Sequence, residues 1–130
     1  DHTIEIVKIV REPGFKTKII VASEFEEVDP AGALIGPKGI RVKAVVEELS
    51  GEKVDVINYT DNARELVAQA LNPARILDVQ FDEEGVAQVT VPKSDEVRAI
   101  GRSGGNVRLA EQLTGYRIRL IGVEDESIPA

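Results

Sequence analysis

Ile35-Gly36-Pro37-Lys38-Gly39-Ile40-Arg41-Val42-Lys43 recurs 65 residues later as Ile100-Gly101-Arg102-Ser103-Gly104-Gly105-Asn106-Val107-Arg108. A second block follows each copy. Glu48-Leu49-Ser50-Gly51-Glu52-Lys53-Val54-Asp55-Val56-Ile57 matches Gln112-Leu113-Thr114-Gly115-Tyr116-Arg117-Ile118-Arg119-Leu120-Ile121 at an offset of 64, so one residue has been lost between the blocks. Self-similarity at a fixed spacing decides the architecture ahead of local signals. The 130 residues read as two copies of one small unit.

The unit is built from recognisable periods. Val42, Val45, Val46 and Leu49 fall at i, i+3, i+4 and i+7, one face of a helix that Gly51 stops. Val107, Ala110 and Leu113 repeat the stripe, with Gly115 as the stop. Lys53 to Asn58 alternates as a partly buried strand does, and Tyr116 to Val123 is its equivalent. Upstream of each glycine pair lies a hairpin. Thr3 to Val10 and Lys16 to Ser23 flank Pro13-Gly14, a type II turn signal; Ile76 to Phe81 and Val86 to Val91 flank Asp82 to Gly85. A short helix follows each hairpin, started by Asp29-Pro30 in the first copy and by Ser94 or Asp95 in the second. Asp61 to Leu71 reads as a helix ending before Asn72-Pro73.

Each unit is therefore helix, strand, strand, helix, Gly-x-x-Gly, helix, strand. The domains are expected at residues 1–60 and 61–124, with 125–130 as a tail. The first copy lacks its leading helix, which would lie before Asp1. Together with the absence of any Met, this reads as a piece of a longer protein. No Gly/Ser-rich linker separates the copies, so they are expected to act as one surface.

Two helices joined by Gly-x-x-Gly, with a strand alongside, make an open cleft. The glycines let a sugar-phosphate chain come close to the backbone. The N–H groups at the start of the following helix carry a positive partial charge. This is how a KH domain holds about four nucleotides of single-stranded nucleic acid. The fold class expected is α/β: two tandem type II KH domains, each a three-stranded sheet packed by helices. Gly36, Pro37, Lys38 and Gly39 form the first loop, and Gly101, Arg102, Ser103 and Gly104 the second. Lys38, Arg41, Lys43, Arg102 and Arg108 are the candidate phosphate ligands. Ile35, Val42, Ile100 and Val107 are the candidate lining of the base pocket. Asn106 opens a helix, where its amide is either a cap or a contact to a base or sugar. Pro37 removes one backbone donor from the first loop.

Charge placement fits this reading better than net charge does. The chain carries a net charge of −7, which by itself argues against phosphate binding. Yet Gly36 to Val46 and Val97 to Ala110 contain basic residues and no acid. The acids collect in Glu24 to Asp29, Asp82 to Glu84 and Glu124 to Glu126. Local potential decides what docks.

Other chemistries find little support. There is no Cys for a disulfide, thiolate metal site or thiol nucleophile. His2 is the only His, so no Ser/His/Asp set can be assembled. The acid runs lack calcium-loop spacing and read as solvated turns. A helix rather than a strand precedes Gly101-x-x-Gly104, which excludes a dinucleotide fingerprint. No catalytic residue, metal or cofactor is expected. No apolar run reaches the ~20 residues of a membrane span. Tyr59 and Tyr116 read as packing residues rather than base-stacking platforms, and Arg117 and Arg119 as strand charges beside the cleft.

Longer blocks carry a resemblance. Arg11-Glu12-Pro13-Gly14, Val28-Asp29-Pro30-Ala31-Gly32-Ala33, Gly51-Glu52-Lys53-Val54-Asp55-Val56, Ala70-Leu71-Asn72-Pro73-Ala74 and Ala99-Ile100-Gly101-Arg102 with Gly105-Asn106-Val107-Arg108-Leu109-Ala110 resemble the tandem KH region of the bacterial NusA transcription factors. The resemblance covers nearly the whole chain. It implies a cytoplasmic, monomeric RNA-binding module that meets the nascent transcript. RNA polymerase would be contacted mainly through upstream domains absent from this sequence. It further implies a role in pausing, termination and antitermination. The rival reading is a protein-interaction module whose acidic side docks a basic transcription or ribosomal partner.

Overall fold

A computed structural model describes residues 4–23 and 53–125. The chain divides into two compact units between Asp61 and Asn62.

In the first unit, β1 (Ile4–Glu12), β2 (Lys16–Ser23) and β3 (Lys53–Asn58) form a sheet in that order. Pro13-Gly14 closes the β1–β2 hairpin, with Gly14 at φ 80° and the Phe15 N–H donating to the Glu12 carbonyl. β2 runs antiparallel to β1 and parallel to β3. β2 is the central strand and is buried on both faces. One face holds Ile19, Val21 and Val54, with Val56 packed against them. The other places Lys18 opposite Asp55, flanked by buried Ile20 and Ile57. A continuously buried strand is usual for one with a parallel neighbour; a lysine inside it is not. The Lys18 ammonium lies 2.8 Å from Asp55 Oδ2, and Lys16 shares that oxygen at 3.0 Å. Burial lowers the Lys18 pKa to about 8, although the Asp55 carboxylate works in the opposite direction.

In the second unit the described elements are α1 (Ala63–Ala70), β4 (Asp78–Phe81), β5 (Ala87–Pro92), α2 (Lys93–Ile100), one 3-10 turn (Arg102–Gly104), α3 (Gly105–Thr114) and β6 (Ile118–Val123). β4 is antiparallel to β5, and β6 is parallel to β5 on its other side. Val79, Ala87, Val89 and Val91 of the sheet and Val67, Leu109 and Leu113 of the helices make the core. The alternating outer row of β5 and β6, Gln88, Thr90, Arg119 and Ile121, stays open to water to different degrees.

Several boundaries differ from those expected of the sequence. α1 begins at Ala63 because Asn62, not Asp61, caps it, its Oδ1 accepting from the N–H groups of Arg64 and Glu65. Neither Ser94 nor Asp95 caps α2: the N-cap is Pro92, without a side-chain bond. The Ser94 N–H instead donates to Asp125 Oδ1 at 3.1 Å, and the Asp95 carboxylate accepts from the Arg75 N–H. Both partners come from remote parts of the chain, so no local capping rule finds them. The helix start at Asp29-Pro30 and the helix ending at Gly51 lie outside the described residues.

Candidate nucleic-acid interface

The second Gly-x-x-Gly joins α2 to α3. α2 closes at Gly101, whose φ of 77° and ψ of 173° occupy a region essentially reserved for glycine. Ser103 (φ 54°) and Gly104 (φ 76°) follow in the left-handed region. Three of the four loop residues thus have positive φ, which for the non-glycine Ser103 costs about 1–2 kcal/mol. The loop is held from within. The Gly104 N–H donates to the Gly101 carbonyl at 3.1 Å, and Arg108 Nη1 donates to the Ser103 carbonyl at 3.2 Å.

The two glycines serve different ends. A Cβ at Gly101 would stand 2.6 Å from the Asn106 nitrogen and Cβ, so this glycine lets the loop press against the first turn of α3. A Cβ at Gly104 would meet only the Arg108 side chain at 3.7 Å, so this one faces open space. α3 starts at Gly104 with no side-chain cap and no acid in its first turn. Its positive end is therefore not neutralised by a carboxylate, and exposed Arg102 and Arg108 add to it.

Asn106 opens α3 from inside the unit. It is fully buried, and its amide donates to the carbonyls of Leu71 (3.1 Å) and Ala99 (3.0 Å). It ties the start of α3 to the ends of α1 and α2. Its place at a helix start marks it in the sequence; its two carbonyl partners follow only from the packing of three helix ends.

The apolar side of the site includes Ile100, exposed, and Val107, half-buried. Val97 joins them and was not singled out from the sequence, though it is 81% exposed. Its i, i+3 spacing from Ile100 was the available signal, since such pairs share a helix face. α2 packs on β5 and β6. There the Glu96 side chain lies over Gly122, where a Cβ would come 2.7 Å from a carboxylate oxygen. Arg98 turns to Asp95 at 3.5 Å. Arg117 and Arg119 are exposed and form no ion pair among the described residues. Tyr116 packs its ring on Phe81 at 4.8 Å between centroids. Ile35, Gly36, Pro37, Lys38, Gly39, Arg41, Val42 and Lys43 lie outside the described residues.

A separate hollow of about 450 Å³ is lined by Asp82, Glu84, Gln88, Glu111, Arg117 and Arg119, among others. Its central carboxylates are already engaged. Asp82 accepts from the N–H groups of Glu84 and Val86 and from Gln88 Nε2, and Glu111 accepts from the Ile118 N–H. Those bonds lower the Asp82 pKa, the Val86 N–H foremost. The hollow reads as a turn holding itself together. No group of His, Asp and Glu among the described residues has the arrangement of a metal site.

A mixed three-stranded sheet covered by helices, two of them joined by Gly-x-x-Gly, defines the second unit as a KH domain. The same sheet order in the first unit makes the chain a tandem of two. The chain belongs to the NusA-like KH family: residues 1–59 match the NusA-like first KH domain and residues 63–127 the NusA-like second KH domain. Among its relatives is the transcription termination/antitermination protein NusA of Bacillus subtilis, 46% identical over 119 residues, covering 91% of this chain and 32% of that protein. NusA of Mycobacterium tuberculosis is 44% identical (94% of this chain, 36% of that protein), and NusA of Thermus thermophilus is 47% identical (88% and 30%). The chain spans about a third of the length of these relatives. A solved structure, that of APE1850, superposes with a TM-score of 0.53 at 25% identity, covering 80% of this chain and 78% of that one.

Proposed function

We propose that the chain binds single-stranded RNA, the emerging transcript, through its two Gly-x-x-Gly clefts. In this reading it does so within a factor that acts with RNA polymerase in termination and antitermination, the process named for its relatives. The observation that carries the reading is the open start of α3: an uncapped helix end behind a positive-φ loop, flanked by exposed Arg102 and Arg108. A phosphate is held there by the positive end of the helix dipole and by guanidinium groups together. Ile100, Val97 and Val107 offer the apolar surface on which unstacked bases rest. Duplexes, whose bases are already stacked, bind poorly.

Aspartates at Arg102 and Ser103, together with Pro37 and Lys38, are expected to abolish RNA binding while circular dichroism stays native. Arg102 and Ser103 are exposed, so the second unit's packing is untouched. In the unmodified chain, neutralising ~4 phosphates of a single strand gives a slope of log affinity against log salt near −3. Affinity unchanged in the quadruple variant, or indifferent to salt, sinks the reading.

The connection between the copies is short, and so we further propose that one RNA occupies both clefts. An RNA of about 10 nucleotides is then expected to bind ~100-fold more tightly than one of about 4, because the second contact is intramolecular. Filter binding or fluorescence anisotropy at one salt concentration measures this. Equal affinities at both lengths mean that the clefts work independently or that only one is active.

A further inference from the structure

We propose that Glu96 selects the base held in the second cleft, favouring guanine and rejecting uracil; this rests on the RNA-binding reading above. Glu96 precedes Ile100 by four residues on α2, so the two share a helix side. Its side chain is half-buried against β6, over the bare backbone of Gly122. Gly122 stands in the half-buried row of β6 with Ile118 and Leu120, and any side chain there would collide with the carboxylate at 2.7–2.9 Å.

The carboxylate makes no hydrogen bond or ion pair among the described residues. Glu96 and Lys93 attract one another, but the Lys93 ammonium is itself bridged to Glu124 at 2.9 Å. Glu96 therefore keeps both oxygens for an incoming donor. It cannot serve a phosphate, which it repels. It stands five residues before Gly101, about 7–8 Å back along the helix from the loop that would hold the phosphate. A base extending from that phosphate along α2 meets it.

An ionised carboxylate only accepts hydrogen bonds. Guanine presents N1–H and the N2 amino group side by side, matching its two oxygens. Adenine and cytosine offer one amino group beside an acceptor nitrogen. Uracil offers one N–H between two carbonyl oxygens that the carboxylate repels. Single-stranded bases are open on this edge.

The test uses the full chain carrying P37D and K38D, so that only the second cleft is read. Four oligo-U RNAs of about 5 nucleotides, differing only in one central G, A, C or U, are titrated against it. The same titrations are run with E96Q and E96L added, and native circular dichroism is confirmed for each. The parent is expected to prefer the G-containing RNA over the all-U RNA by about 10-fold or more, the discrimination of one bidentate contact. E96Q reduces the ratio several-fold. E96L brings it close to 1 while all-U binding holds or tightens, since the repulsion is gone. A parent that binds all four equally, or an E96L variant that keeps the preference, overturns the proposal and leaves the cleft reading standing. No binding to any of the four, or binding unchanged by R102D and S103D, overturns the cleft reading and this proposal with it.

Discussion

Asn in place of Asp55 is expected to destabilise the first unit by about 3–5 kcal/mol, the usual effect of removing one member of a buried ionic cluster. Lys16 and Lys18 both direct their ammonium groups at Asp55 Oδ2, and both side chains are buried. The substitution keeps the volume and leaves two buried cations without the carboxylate they share. K18M is expected to cost far less, because the Lys16–Asp55 pair survives and a thioether replaces the most deeply buried cation. Urea denaturation followed by circular dichroism separates the two. Equal losses would show that the carboxylate is not what keeps the lysines inside.

A pH profile checks the same cluster with a definite sign. Lys18 titrates at about 8 in the folded chain against an ordinary 10.5. Between those values the unfolded chain binds a proton that the folded chain does not, so unfolding free energy rises with pH. Below about pH 8 the full cost of the buried charge is present; by about pH 10.5 it is relieved, a gain of at most ~3 kcal/mol. Other lysines and the tyrosines titrate near the upper end, so the quantity to read is the difference between wild type and K18M. A flat difference across the window would contradict the buried, proton-releasing Lys18.

The second large effect is expected at the loop. Gly101→Ala forces a side chain into a glycine-only conformation, at ~1–3 kcal/mol, and into Asn106, which a Cβ would approach to 2.6 Å. Asn106→Ala strips the donor from the Leu71 and Ala99 carbonyls, at about 1–3 kcal/mol for each buried group left unsatisfied. Gly104→Ala meets only its φ penalty of about 1–2 kcal/mol, since its surroundings are open. The expected order of melting temperatures is wild type, then Gly104→Ala, then the other two. Were Asn106 an RNA contact, its Ala variant would lose affinity and keep its melting temperature, which makes the experiment decisive between the two roles.

Much of this architecture was readable from residue order. The repeat located the second glycine loop. The Val107, Ala110 and Leu113 stripe placed α3, and Pro13-Gly14 placed the first hairpin, because turn chemistry and helical period are set by residues within a few positions of one another. Family membership, too, lay in linear blocks such as Ala99 to Arg102. Three features were decided only when remote segments met. Asn106 stands at a helix start in the sequence, and the ends of α1 and α2 supply the carbonyls its amide binds. Lys18 sits in an apolar strand as if facing water, and parallel pairing with β3 put Asp55 opposite it. Glu96 fell just outside the acid-free stretch of sequence, yet the packing of α2 on β6 lays it over Gly122. Periodicity reports which face of an element is buried. The partner of a polar group depends on register and packing between segments tens of residues apart, and that information exists only once the chain has folded.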